Sequence, residues 1–234
     1  MGFGEIERGR PGQPGQPMEY GLGTRPVARS EARTVFAQTM FLVAVALGFL
    51  AAGAYLGRDL SWGWALAAWG GALVLVIAMA VSRKAGRGQL GMGLLFGVGV
   101  LFGVALGPTL AEYASAPGGA ELIGQAAGLT ALFIGALGTV GYVTKRDLSW
   151  LGRISFFALL ALIVFGIVMI FVSIPYGNII YCVAGLVIFA GYTLFDFNRL
   201  RRAGQEDVPL IALSIFLDVV NVFLLILSLL GNSR

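Results

Sequence analysis

The sequence predicts an all-α, polytopic integral membrane protein with seven transmembrane helices, and three observations carry that prediction. Only 12% of the 234 residues are charged and 58% are apolar, whereas a soluble domain needs about a quarter charged residues to face water. Apolar stretches recur along the chain, each about the twenty residues that cross a roughly 30 Å hydrocarbon core at 1.5 Å per residue. Glycine is abundant, at 35 residues, which suits closely packed membrane helices and would weaken a soluble bundle.

The chain opens on a polar segment, 1–33, whose run Gly9–Pro17 (GRPGQPGQP) suits neither helix nor strand. It has no apolar signal-peptide core and reads as a disordered tail kept in the mature protein. Gly2 follows Met1, but Ile6 stands where a myristoylation signal needs Ser or Thr. The transmembrane domain is expected over 34–234, with spans near 35–57, 60–82, 90–111, 121–143, 151–173, 178–200 and 209–230. Breakers and charges separate them: Gly57-Arg58-Asp59, Ser82–Gln89, Ala116–Gly119, Lys145-Arg146-Asp147, Ile174–Gly177 and Arg201–Pro209. Backbone polar groups find no water in lipid, so these segments must be helical, and the alternating strands of a closed barrel are missing. Gly99, Gly103 and Gly107 line one face of the third span, and Gly124, Gly128, Gly135 and Gly138 recur in the fourth. Both sets read as helix-packing positions.

Orientation follows from Lys and Arg. Of the 16 such residues, all but Arg58 and Arg234 fall in the tail or around the connections after spans two, four and six. That asymmetry places the N-terminus in the cytoplasm and the C-terminus outside. It also accounts for the formal charge of +4 by topology, so the partner is the lipid bilayer and not nucleic acid. One cysteine, Cys182, and no histidine exclude an intramolecular disulfide and a Cys/His zinc site. No phosphate loop or Ser/His arrangement points to an enzyme.

Ionisable residues within spans are costly and are functional-site candidates. Most carboxylates lie at span ends, but Asp196 falls in the last turns of span six and Asp218 well inside span seven. Counted from Arg202 and Pro209, they lie about 9 and about 13 Å from the same interface, so neighbouring antiparallel helices would bring them together. Ser214, Asp218, Asn221 and Ser228 form a polar stripe on one face of span seven. Two buried carboxylates in contact would share a proton, sensing pH without histidine. Protonated, the pair is a clasp between helices; deprotonated, Asp196 and Asp218 could transiently hold a hard cation such as calcium. Arg83, at the end of span two, and Arg199, one turn from Asp196, are the basic residues placed to latch it.

The segment Ala190–Leu200 (AGYTLFDFNRL) and the segment Leu213–Gly231 (LSIFLDVVNVFLLILSLLG) resemble the Bax inhibitor-1 family. The matching elements are Phe195-Asp196, and Phe216-Leu217-Asp218 followed by Asn221 and Phe223. Looser similarity extends over most of the chain from residue 34, including Leu106-Gly107-Pro108. The resemblance implies a seven-helix fold with the last helix central, and a carboxylate pair, at Asp196 and Asp218, that senses pH and gates a calcium leak. It implies an arginine latch from the second helix, matched by position to Arg83, and no resident cofactor. It also implies a bacterial plasma (inner) membrane location. Family members regulate stress, cell death or membrane proteolysis, so a non-conducting regulator that binds a membrane protease or stress-response complex is the alternative. An intramembrane aspartyl protease is disfavoured, because Ile215-Phe216-Leu217 precedes Asp218 where those enzymes carry a Gly-x-Gly element.

Overall fold

The computed structural model describes residues 24–81 and 88–232, with side chains from Glu31 onward. Seven helices in it are long and apolar enough to cross a membrane. They are α1 (Thr24–Gly57), α2 (Trp62–Val81), α3 (Gly88–Ser115), α4 (Gly119–Val143), α5 (Ser149–Phe171), α6 (Gly177–Leu200) and α7 (Val208–Gly231). No strand occurs among the described residues, and a 3-10 turn at Gln205–Asp207 leads into α7.

The boundaries have local causes. Gly118, at φ 72°, takes the left-handed conformation that turns α3 back into α4. Pro209 sits in the first turn of α7, where its missing N–H costs nothing. The main difference from expectation is at the front. α1 starts at Thr24, upstream of the boundary drawn after residue 33, because Val27–Arg33 (VARSEAR) is rich in helix formers and Pro26 falls in the first turn. The rest of the expected tail, and Arg83, Lys84 and Arg87 beyond α2, lie outside the described residues.

α7 is the central helix. It packs against α1, α2, α3, α4 and α6, and Ile211, Phe216 and Val222 on it are fully buried. α5 packs chiefly on α6 and turns Phe157, Val164, Ile170 and Phe171 outward. Outward apolar side chains suit a helix at the lipid boundary.

Two kinds of seam join this bundle. α3 lies on α1 with the two backbones in close contact at three glycines, beside a stacked Phe49–Phe96 pair. A methyl group at Gly103 would collide with the Leu50 carbonyl, one at Gly99 would come within 2.7 Å of the Ala46 oxygen, and one at Gly107 would meet the Gly57 backbone. The α4 glycines divide. Gly138 receives the Phe197 ring of α6, but a methyl group at Gly124, Gly128 or Gly135 would meet nothing within 4 Å. These three are therefore not helix-packing positions: spacing puts residues on a common face without saying whether a helix covers it.

Candidate functional site

The last turns of α6 and the middle of α7 lie side by side, joined by the short polar connection after Leu200. Asp196 and Asp218 are each 4% exposed, and the charge of Asp196 acts directly on Asp218. The side chain of Thr193, one turn before Asp196 on α6, lies close enough to Asp218 to act on its charge. Thr193 is itself fully buried, and its Oγ1 donates to the Phe189 carbonyl at 2.8 Å. A hydroxyl has one proton, so either Phe189 or a charged Asp218 receives it, never both. The second carboxylate oxygen of Asp218, Oδ2, is buried without a hydrogen-bond partner.

The surrounding charges are few. Arg199 is half-buried and within electrostatic reach of Asp196, but no ion pair joins them among the described residues. Instead Arg199 lines, with Arg202, Ser149 and Asp207, a polar cavity of about 360 Å³ at the basic end of α6. The Tyr192 phenol lies within electrostatic reach of both carboxylates. Arg83 lies outside the described residues.

The polar stripe of α7 does not act as one unit. Ser228 exchanges hydrogen bonds with Asn178 of α6, at 3.2 and 3.4 Å. Asn221 turns back on its own helix and donates to the Leu217 carbonyl at 2.7 Å. Ser214 is half-buried. Within the stripe, then, Asp218 and Ser228 are the members shown to meet α6. Among the described residues no group of three Asp, Glu, His or Cys side chains gathers to hold a metal. Calcium takes six to eight oxygen ligands, so at this pair it would keep most of its water.

One residue that sequence reading passed over organises the basic end. Asn198, fully buried, holds Nδ2 within hydrogen-bond distance of the carbonyls of Thr144 at 2.8 Å, Arg146 at 3.1 Å and Gly141 at 3.3 Å, which share its two hydrogens. Its Oδ1 accepts from the Leu148 amide at 3.3 Å and from Arg202 at 2.7 Å. Arg202 also pairs with Asp147 at 2.9 Å. The Arg202 guanidinium, with the Ser149 hydroxyl and amide, holds the Asp147 carboxyl well below the usual carboxylate range. The α4–α5 connection is thereby tied to the same turns of α6 that carry Asp196. An amide two residues after Asp196, inside an apolar span, was the available signal.

A family model described as "Inhibitor of apoptosis-promoting Bax1" matches residues 32–234. An uncharacterized membrane protein of Vibrio cholerae is 33% identical over 131 residues, covering 56% of this chain and 59% of the relative. An uncharacterized protein of Helicobacter pylori is 32% identical over 143 residues, 61% of each chain. The inner membrane protein YbhL of Escherichia coli is 29% identical over 174 residues, 70% of this chain and 71% of the relative. The chain spans about three fifths of the length of the first two of these relatives.

Proposed function

The chain belongs to the Bax inhibitor-1 family, as the match across residues 32–234 shows, and from that premise we propose that it is a pH-sensitive cation leak, with calcium the expected ion and Asp196 and Asp218 its gate. As a multi-pass protein it sits in the membrane, and its relative YbhL places it in the bacterial inner membrane. The family is not a known enzyme family, and no catalytic step is assigned to the two aspartates.

One observation carries this reading: Asp218 Oδ2 is buried without a partner, beside a second buried carboxylate on the neighbouring helix. A lone pair sealed away from water is costly unless a proton or a cation meets it. With one proton shared, the pair and Thr193 form a hydrogen-bonded clasp between α6 and α7. With both carboxylates charged, repulsion in a low-dielectric interior pushes the helices apart. Thr193 then turns its proton from Phe189 to Asp218, while the Phe189 carbonyl keeps its backbone bond within α6. A hydrated cation entering through the polar cavity beside Arg199 would meet two carboxylates. This is a two-state element whose balance protons and cations bias in opposite directions.

The test is calcium flux into liposomes holding purified protein, from mildly acidic to mildly alkaline pH, beside Asp196→Asn and Asp218→Asn. The expected result is pH-dependent flux in the unaltered protein and a flattened response in both variants. Absence of flux from folded protein would sink the leak reading. It would leave the carboxylates as a structural clasp in a non-conducting regulator, sought by capture of a membrane protease.

A further inference from the structure

We propose that the apolar cleft between α1 and α4 is a binding site for one acyl chain of an anionic phospholipid. The cleft has a volume of about 670 Å³, in the roughly 300–1,000 Å³ range of ligand pockets. Its walls run from Phe36 to Ala54 on α1 and from Ala127 to Val143 on α4, and its floor is Phe197, Val219, Val220 and Phe223. At 1.5 Å per residue those walls are about 27 and about 24 Å long, close to the roughly 30 Å of the hydrocarbon layer. The cleft therefore runs through most of the depth of the hydrocarbon layer, with the exposed Ala127, Ala131 and Gly135 on its α4 wall.

Its chemistry excludes water as a filling. Thr130 and Thr139 point polar groups at the lining, but each hydroxyl donates to its own helix, to Ala126 and Gly135, at 2.7 Å. The remaining wall of α4 is small and open: Ala127, Ala131 and Gly135 are exposed, and a methyl group at Gly135 would meet nothing within 4 Å. A dry space of this size bordering lipid fills with what surrounds it.

The dimensions choose between a chain and a helix. A volume of about 670 Å³ spread over about 25 Å gives a cross-section of about 27 Å², against about 80 Å² for a helix about 10 Å across. A polymethylene chain fits that section; a helix from a second copy does not. One end is closed by the Phe36 and Tyr142 rings, 4.9 Å apart. The same end carries Arg33, Lys145 and Arg146, all exposed, against two exposed acids, Glu31 and Asp147, the second of which is already paired with Arg202. Net positive charge there suits an anionic headgroup at the interface. Val219 and Val220 follow Asp218 directly, so an occupied cleft backs the turn of α7 that carries it. Binding is nonetheless independent of conduction and is read without it.

The experiment uses the full chain in liposomes with phosphatidylglycerol or phosphatidylcholine bearing a photoreactive group at mid-chain, and maps the adducts by mass spectrometry. The expected result is several-fold more phosphatidylglycerol adduct on Ala127–Val143 and Phe36–Ala54 than on the exposed face of α5 around Phe157 and Val164. Unlabelled phosphatidylglycerol should compete it away in the unaltered protein. Gly135→Leu should remove the excess, while Gly128→Leu, which enters open space outside the cleft, should leave it. Even labelling of α5 and the cleft, an excess that survives both competition and Gly135→Leu, or cross-links there to a second copy would overturn the site. Equal labelling by both headgroups would overturn its preference for anionic lipid.

Discussion

The α1–α3 seam and the α6–α7 seam are built from opposite materials. In the first, Gly99, Gly103 and Gly107 let two backbones touch, and the contact consists of atoms already in place. In the second, Asp196, Thr193 and Asp218 are buried together, and Asp218 Oδ2 has no hydrogen-bond partner. Helices in lipid gain no hydrophobic drive from meeting each other, so close packing and hydrogen bonds must hold them. The glycine seam has one good arrangement, and any added atom spoils it. The carboxylate seam, on the proposed function, has two arrangements, chosen by a proton. A membrane bundle that holds its shape and also opens, as proposed, needs both kinds, and here they are kept on separate helix pairs, with α7 packing on α1 and α3 as well as on α6.

The sharpest attempt to break that contrast is Gly103→Val. Its side chain would run into the Leu50 carbonyl and the backbone of Gly53 and Ala54, none of which can rotate away. The expected loss exceeds about 3 kcal/mol, beyond the usual cost of overpacking, where neighbouring side chains can still shift. Thermal unfolding in detergent measures it. A variant as stable as the parent would mean that α1 and α3 can slide, and the contrast between a fixed and a switchable seam would fail.

Sequence made part of this plain and left part of it hidden, for physical reasons. The ends of α1, α4 and α6 at Gly57, Val143 and Leu200 fall where the spans were expected to stop, because glycine, proline and charge interrupt apolar runs there. Asp196 and Asp218 stood out because a charge inside an apolar span is costly wherever it points. The start of α1 did not, since a polar segment of good helix formers looks the same whether it frays or continues a helix. The two glycine series looked alike as well, yet Gly103 touches backbone and Gly135 borders an empty cleft. Spacing reports a shared face, and only the fold says what covers it. Asn198 was passed over because an uncharged amide in a span is ordinarily a minor adhesive, whereas here it serves five partners.

Asn198→Ala tests the polar side at its most connected point. It removes the donors to Gly141, Thr144 and Arg146 and the acceptor for Leu148 and Arg202. The bond to Gly141 is buried and the others are partly buried, so the expected cost is about 1–3 kcal/mol, that of leaving such polar groups unmade. It is smaller than at Gly103 because water at the basic interface can replace some of the bonds. Tryptic cleavage after Lys145 and Arg146 should quicken along with the loss of stability. If stability fell and cleavage did not, Asn198 would be holding α6 itself and not the connection.

The smallest effect lies in the ion pair at the rim of the same network. Arg202 and Ser149 hold the Asp147 carboxyl below its ordinary range, so the folded protein binds that proton less readily than the unfolded chain. The pair's contribution is then fully present above the unfolded carboxylate value and disappears as pH falls through the lower, folded one. Both side chains are well exposed, at 61% for Asp147 and 43% for Arg202, so salt screens the pair and little stability depends on it. Trp150, three residues on, gives a local signal once the other tryptophans, Trp62, Trp64 and Trp69, are changed to Phe. Its emission should stay flat through the ordinary carboxylate range and change only in stronger acid. In Arg202→Gln the midpoint should rise toward about 3.9, the unperturbed aspartate value, with little change in melting temperature. A midpoint already near that value in the parent would show the Asp147–Arg202 pair to be too loosely held to brace the connection, leaving Asn198 to tie it down alone.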